Sequence, residues 1–342
     1  IRGYKQYTNS VISAQAELNQ KLDFITPGLS IKVFASTTRN SYSGQQRSTS
    51  PFYYSISYYD KLTDTYTLRE LNPNGGREDL DYTAEGNQVS SSYYYEASLN
   101  YNRTFREKHN ITGLLVGVLR ENKSGGASSI QTSLPARNIG LSGRFTYAYD
   151  GRYFAEANFG YNGSERFAKN ERFGLFPSIG AGWMISEEKF WNQDLKNIIN
   201  KLKLKGTYGL VGNDILNEYK RFLYLPDSYS ASSGGYYWGV NTPQAYPGAS
   251  ELILGNPDVT WEKAAKQNYG LDMNLLDQRL NFSLDVFFEK RKDILIQQNT
   301  VPGFVAADLP AVNLGKVNNK GYEISLGWND KIGSKFRYWL KG

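Results

Sequence analysis

Leu280-Asn281-Phe282-Ser283-Leu284-Asp285-Val286-Phe287-Phe288 alternates apolar and polar side chains with a single interruption, at Phe287. A β-strand points successive side chains to opposite faces. Leu280, Phe282, Leu284, Val286 and Phe288 therefore form one apolar surface, and Asn281, Ser283 and Asp285 a polar one. The same period runs through residues 11–24, where Ile12, Ala14, Ala16, Leu18, Leu22 and Phe24 oppose Ser13, Gln15, Glu17, Asn19, Lys21 and Asp23. It returns over residues 141–149 and 322–328.

Extending this reading along the chain predicts strands near 11–24, 30–42, 91–105, 110–122, 137–149, 152–163, 172–184, 201–211, 261–275, 279–290, 320–329 and 335–342. The stretches 52–59 and 64–70 are candidates for further strands inside a loop. One helix is expected over 187–199, capped by Ser186, with Glu187 and Glu188 in its first turn and Trp191, Leu195 and Ile198 on one face.

The connections alternate in length. Residues 25–29, 106–109, 150–151, 276–278 and 330–334 are tight, whereas 43–90, 123–136, 164–171, 212–260 and 291–319 are longer. In an up-and-down antiparallel sheet every second connection lies on the same edge, so one edge carries turns and the other carries loops. A transmembrane β-barrel has that asymmetry, with short periplasmic turns and longer outer loops. Its strands need about 9–11 tilted residues to cross the hydrocarbon, and the predicted strands meet this.

A soluble β-sandwich also alternates. Three features oppose it: strand length, the regular short/long order, and aromatics gathered near strand ends. The last are Tyr93-Tyr94-Tyr95, then Tyr147, Tyr149 and Tyr153, then Tyr338-Trp339, at the expected heights of two lipid–water interfaces. Lys201, Lys203 and Lys205 share a face opposite Leu202 and Leu204. A Lys facing lipid near the midplane costs about 2–4 kcal/mol, so the three are expected to face the lumen.

Composition removes other classes. The chain has 342 residues, no Cys and one His, so thiolate zinc sites, disulfide scaffolds and histidine clusters are excluded. No apolar run approaches a membrane helix. Basic residues are scattered and the net charge is +6, which is not a nucleic-acid stripe. No paired carboxylates, nucleophile or metal cluster identify an enzyme, and no cofactor, metal or catalytic residue is expected. Gly206, Gly209 and Gly212 lack the following helix of a phosphate loop and read as packing glycines. Pro177 predicts a bulge or bend, His109 an exposed turn residue, and Trp261-Glu262 an anchor for the strand that follows.

Five ordered blocks then carry a resemblance. They are Gly143-Arg144 through Arg152-Tyr153; Arg172-Phe173-Gly174-Leu175-Phe176-Pro177-Ser178 with Gly182-Trp183, Ile185-Ser186, Glu188 and Phe190; Leu202-Lys203-Leu204-Lys205 through Gly212-Asn213; Asn256-Pro257-Asp258-Val259-Thr260-Trp261-Glu262; and Asn313, Gly315, Asn318, Gly321 and Glu323. Together they resemble the SusC/RagA-like TonB-dependent transporters of the outer membrane of Bacteroidota. Residues 160–167 depart from the family pattern, which usually has Arg and Asp there, and leave any role for that strand tip in doubt.

The resemblance implies an all-β fold: a transmembrane up-and-down antiparallel β-barrel segment with one short periplasmic helix. It would supply about twelve of the roughly 22 strands of a full barrel. Ile1-Arg2-Gly3-Tyr4 is neither an initiator Met nor a signal peptide, and the last residues stop inside an alternating run. Residues 1–342 are thus expected to be part of a single barrel domain of a longer protein, with no plug in this segment.

The resemblance further implies multi-pass insertion in the bacterial outer membrane and active import of oligosaccharides or peptides. A SusD-like surface lipoprotein would close over the outer loops, and TonB would supply energy. The lipid bilayer is a partner and nucleic acid is not. The competing reading is a non-transporting adhesin or glycan-binding surface protein, which an upstream plug and TonB box would separate from a transporter. Within the long loop, Tyr236, Tyr237, Trp238 and Tyr246 offer flat faces with polar rims suited to a sugar ring. They are the candidate substrate-binding residues; packing against neighbouring loops or the lid is the competing role.

Overall fold

The computed structural model describes residues 3–126, 133–214, 222–225, 227–228, 236–240, 244–246, 251–253, 255–296, 309–333 and 335–342; at 227–228, 236–238, 244–245 and 251–253 it describes the backbone alone. The strands are β1 (Tyr4–Lys21), β2 (Leu29–Thr49), β3 (Tyr54–Asp60), β4 (Thr65–Glu70), β5 (Leu80–Phe105), β6 (His109–Ser124), β7 (Ala136–Tyr149), β8 (Tyr153–Ser164), β9 (Phe173–Met184), β10 (Ile199–Asn213), β11 (Asp227–Ser228), β12 (Tyr236–Trp238), β13 (Gln244–Tyr246), β14 (Glu251–Ile253), β15 (Glu262–Leu275), β16 (Leu280–Ile296), β17 (Val312–Ile332) and β18 (Phe336–Lys341).

Twelve of them form one sheet in the order β1-β2-β5-β6-β7-β8-β9-β10-β15-β16-β17-β18. Each expected strand is present and paired with its sequence neighbours. The insertions β3–β4, β11–β14 and β12–β13 form separate two-stranded ribbons in the long connections. Several strands run further toward the loop edge than expected; β5 begins at Leu80 rather than near 91. Tyr93-Tyr94-Tyr95 consequently lies inside β5, not at a strand end.

The chain divides into two compact units. One comprises Ile1–Gln15, Ser36–Tyr93 and Glu121–Pro135, and the other Ala16–Ala35, Tyr94–Arg120 and Ala136–Gly342. The first holds the loop-side portions of β1, β2, β5 and β6 with the β3–β4 ribbon. The second holds all of β7–β10 and β15–β18.

Register in this second unit sorts side chains into rows. One row crosses six strands as Tyr153, Trp183, Leu204, Leu271, Leu284 and Ile324. The adjacent row reads Phe154, Gly182, Lys205, Gly270, Asp285 and Glu323. Because successive residues face opposite ways, the first row belongs to an apolar face and the second to a polar one.

The apolar face is not packed against a second layer in this chain. Ile179 is 61% exposed and Tyr322 72%. The buried hydrophobic residues, among those described, are only Phe167, Phe222, Val259, Trp261 and Ala264. A soluble chain of this size buries far more, whereas a lipid-facing sheet keeps its apolar side chains outermost. No helix among the described residues is long and apolar enough to cross a membrane.

Two local expectations are corrected. The helix α1 spans only Gln193–Ile198, and its N-cap is Asn192, whose side chain accepts from the Leu195 N–H at 3.0 Å. Ser186 instead lies buried in a 3-10 turn, Ile185–Glu187. The cause is Glu188, drawn away from any first-turn role by Arg152 and Trp183. Pro177 makes no bulge: it pairs with Phe159 in an unbroken β8–β9 register. The β9–β10 ladder ends at the neighbouring Ser178–Gly209 pair, as suits a residue with no N–H to offer the next strand.

Candidate functional site

The polar face of β7–β10 and β15–β17 is a ladder of compensated charges. Arg144 reaches Glu156 at 2.9 Å, and Glu156 and Ser178 each bond Asn158. Lys205 Nζ lies 3.1 Å from Asp272 and 3.4 Å from Asp285. Ser283 donates to Asp272 and Asn268 to Asp285. Nearer the loop edge, Arg291 joins Glu262 and Glu289, both at 2.9 Å.

Glycine makes the central pairing sterically open. A Cβ at Gly270 would collide with the Lys205 side chain and with Asp285, so its absence lets Lys205 lie across the sheet between two carboxylates. Gly180 and Gly182 sit in the floor of a trough of about 620 Å³ that Arg144, Glu156, Lys203 and Lys205 also line. Its lining sets four cationic side chains, Arg144, Lys203, Lys205 and Lys266, against the single carboxylate of Glu156, among apolar neighbours.

Of the expected basic residues, Lys203 and Lys205 lie on this polar face, opposite Leu202 and Leu204. Lys203 Nζ also stands 4.8 Å from the centre of the Phe154 ring. Lys201 is paired with Asn274 and follows the same alternation. Gly209 and Gly212 are packing glycines, as expected: added Cβ atoms would strike Ser178 and the Phe176 ring.

At the loop edge a small core ties the roots of the long connections together. Phe167 and Val259 are fully buried and pack with Trp261, Phe176, Leu223 and Leu295. The Phe167 and Phe176 ring centres lie 5.3 and 5.2 Å from that of Trp261. The Trp261 indole donates to the Arg172 carbonyl, and Arg166 reaches the carbonyl of Asp214 at 2.9 Å. Asn256 donates to the Ala311 carbonyl.

The strand tip that departs from the family pattern thus contributes Phe167 to the centre of this core. Sequence reading missed it because one Phe outside an alternating run gives no periodic signal. Trp261 was legible as an anchor from its place before a strand.

The 212–260 connection is not structureless. β11 pairs with β14, and β12 with β13 in the register Tyr236–Tyr246, Tyr237–Ala245 and Trp238–Gln244. The backbone brings Tyr236 and Tyr246 opposite one another, and Tyr246 is about half exposed. The side chains of Tyr236, Tyr237 and Trp238 lie outside the described residues.

At the turn edge, Arg152 binds Asp150 at 2.7 Å and Glu188 at 3.1 Å, between the Tyr149 and Tyr153 rings. Hydrogen bonds from the Tyr153 hydroxyl, the Trp183 indole and Arg152 hold the Glu188 carboxyl below its ordinary value, against a smaller opposing effect of burial. His109 is half-buried rather than exposed, with Nδ1 2.8 Å from the Tyr147 hydroxyl; the turn tip is Arg106-Glu107 instead, both at positive φ.

Residues 2–342 match the family described as TonB dependent receptor-like, beta-barrel. A TonB-dependent receptor of Formosa agariphila is 31% identical over 302 residues, covering 79% of this chain and 28% of that protein. The TonB-dependent receptor SusC of Bacteroides thetaiotaomicron is 32% identical over 207 residues, covering 57% of this chain and 19% of that protein. The chain thus spans about a quarter of the length of the curated relatives it matches.

Among solved structures, the RagAB peptide importer in its open-open state aligns with TM-score 0.65 at 20% identity over 98% of this chain and 36% of that one. Its closed-closed state gives 0.64 at 20%, over 98% and 37%. At that identity the likeness bears on the fold. The two-faced sheet, with turns on one edge and loops on the other, is therefore the wall of a membrane barrel, and the chain belongs to the TonB-dependent receptor β-barrel family of the bacterial outer membrane.

Proposed function

We propose that residues 1–342 are part of a single barrel domain in a longer protein that imports oligosaccharides or peptides across the outer membrane. A SusD-like surface lipoprotein closes over the loop edge, and TonB supplies the energy. The observation that carries this reading is the juxtaposition of an exposed apolar face with a charge-compensated polar face in the same strands. In that reading Lys201, Lys203 and Lys205 face the lumen. Tyr236, Tyr237, Trp238 and Tyr246 lie in the loop that meets substrate or lid. The protein does no chemistry on its cargo.

The test is uptake by intact cells lacking the full-length gene and then carrying it again. Labelled oligosaccharides and labelled peptides are offered with and without an uncoupler. Accumulation of one class that needs both the gene and an energised inner membrane is the expected result. Surface binding that is insensitive to the uncoupler and yields no internal label would favour an adhesin or glycan-binding protein.

A further inference from the structure

On β16 the apolar face runs Leu280, Phe282, Leu284, Val286, Phe288 and then changes character: the next two residues on that face are Lys290 and Lys292. Each step of two residues advances about 7 Å along the strand. Nine residues, 280–288, suffice for a tilted strand to cross the hydrocarbon. Lys290 and Lys292 therefore emerge where the apolar band ends, at the height of the head groups on the loop side.

The neighbouring strands do the same. On β17, Ile324 and Tyr322 are followed by Lys320, directly opposite Phe288. On β15, Lys263 shares the face of Tyr269 and stands directly opposite Lys292. The other neighbour of Lys263 is Gly212, which has no side chain to offer it.

Like charges facing each other across an antiparallel pair repel, and here no carboxylate relieves them. Among the described residues, none of Lys263, Lys290, Lys292 and Lys320 makes an ion pair. The same strands behave differently elsewhere. At this height on the polar face, Arg291 pairs with Glu262 and Glu289, and Lys266 with Glu289. At the turn edge, Arg279 pairs with Asp330. On the apolar-side face of β15–β17, Lys263, Lys290, Lys292 and Lys320 thus gather without carboxylates where a bilayer's phosphates would lie.

We propose that Lys263, Lys290, Lys292 and Lys320 form a binding site for the phosphate groups of an anionic lipid in the leaflet on the loop side. Continuity with the apolar face selects a lipid over a soluble anion: its acyl chains would lie along Phe288, Tyr322 and Tyr269 while its phosphate sits among the ammonium groups. The lipid neutralises the Lys263–Lys292 opposition, so it anchors this sector of the wall at a fixed height.

The test uses the full-length protein extracted in mild detergent and native mass spectrometry, with phosphatidic acid and phosphatidylcholine as competing probes. Phosphatidic acid should be retained preferentially, and changing all four lysines to Gln should reduce that preference by about tenfold or more. The fourfold Lys→Arg variant should keep it, as should K61Q/K169Q, which alters two exposed lysines elsewhere. Excess inorganic phosphate should not displace the lipid. An unchanged preference in the Gln variant overturns the site, and full displacement by inorganic phosphate assigns it to free anions. If the fourfold Gln variant does not insert, K263Q and K290Q alone should each weaken retention by about threefold; no effect from either also overturns it.

Discussion

Asn313 and Thr260 exchange two hydrogen bonds through a single carboxamide: Asn313 Oδ1 accepts the Thr260 N–H at 2.9 Å, and Asn313 Nδ2 donates to the Thr260 carbonyl at 2.9 Å. The side chain copies the reciprocal pairing of a strand neighbour just before β15 begins. Nδ2 also donates to the Asp293 carbonyl at 2.6 Å, where the chain takes a positive φ of 60°. One residue thereby holds the start of β15 and the end of the β16 ladder together.

Asn313→Ala should therefore destabilise the loop edge by about 1–3 kcal/mol, because it leaves partly buried backbone groups unpaired. Asn313→Asp should be worse than its shape implies, since a carboxylate would face two carbonyls with no donor. Hydrogen exchange on the full-length protein is the check: faster exchange at Thr260 and its neighbours, with the middle of β15 unchanged. Uniform protection throughout would remove the role assigned to the amide.

Trp261→Ala in the same core should cost about 3–5 kcal/mol, the range for emptying a buried aromatic site. Trp261→Phe should cost much less, losing the bond to Arg172 but keeping most of the ring contacts with Phe167 and Phe176. Denaturant unfolding in detergent compares the two. Equal losses would mean that the indole hydrogen bond, and not packing, dominates.

Opposite faces of β10 should differ in chemical access. With Leu202 and Leu204 toward lipid and Lys203 and Lys205 toward the lumen, Leu204→Cys should react preferentially with a lipid-soluble maleimide. Lys203→Cys should prefer a charged one. Cells carrying the full-length protein give the measurement. The reverse pattern would mean the strand sits one residue out of register, which exchanges every face.

Strand order and the division into two faces were legible because a membrane strand has a strict two-residue period and the turns punctuate it; residues 280–288 alone show the period. Strand length was less legible. β2, β5 and β17 continue past the apolar band into polar sequence, where both faces meet water and no alternation remains to be read. The helix failed for another reason. Glu187 and Glu188 look like first-turn acids locally, but Glu188 belongs to Arg152, 36 residues away. The loop-edge core was legible only in part. Trp261 announces itself, whereas Phe167 and Asn313 acquire their roles from contacts across the chain.

Glu188 provides a pH dependence with a definite sign. Its folded-state value lies below the ordinary 4.5. In the interval between the two values the unfolded chain binds the proton and the folded one does not. The contribution is therefore fully present above about 4.5 and is lost as pH falls through the folded value. Glu188→Gln should lower the melting temperature of the full-length protein at neutral pH, and the gap to the parent should close on acidification. A gap that persists unchanged to pH 3 would show that hydrogen-bond geometry, rather than charge, is what Glu188 supplies.

The last expectation concerns substrate and rests on the proposed import function. β12 and β13 set Tyr236 opposite Tyr246 and place Trp238 two residues further along the same ribbon. A short ribbon restricts the backbone before any ligand arrives, which reduces the ordering cost of binding. Tyr and Trp add broad apolar faces with polar edges, the combination a sugar ring or a peptide backbone can use. Replacing Tyr236, Tyr237 and Trp238 together by Ala should weaken substrate binding to the full transporter–lid complex by at least tenfold, about 1.4 kcal/mol. Calorimetry with the substrate class identified by uptake decides the matter, with lid affinity measured in parallel. Unchanged substrate affinity together with a loosened lid would assign the three aromatics to the interface between the proteins, because residues that only pack the lid influence its dissociation without touching the cargo.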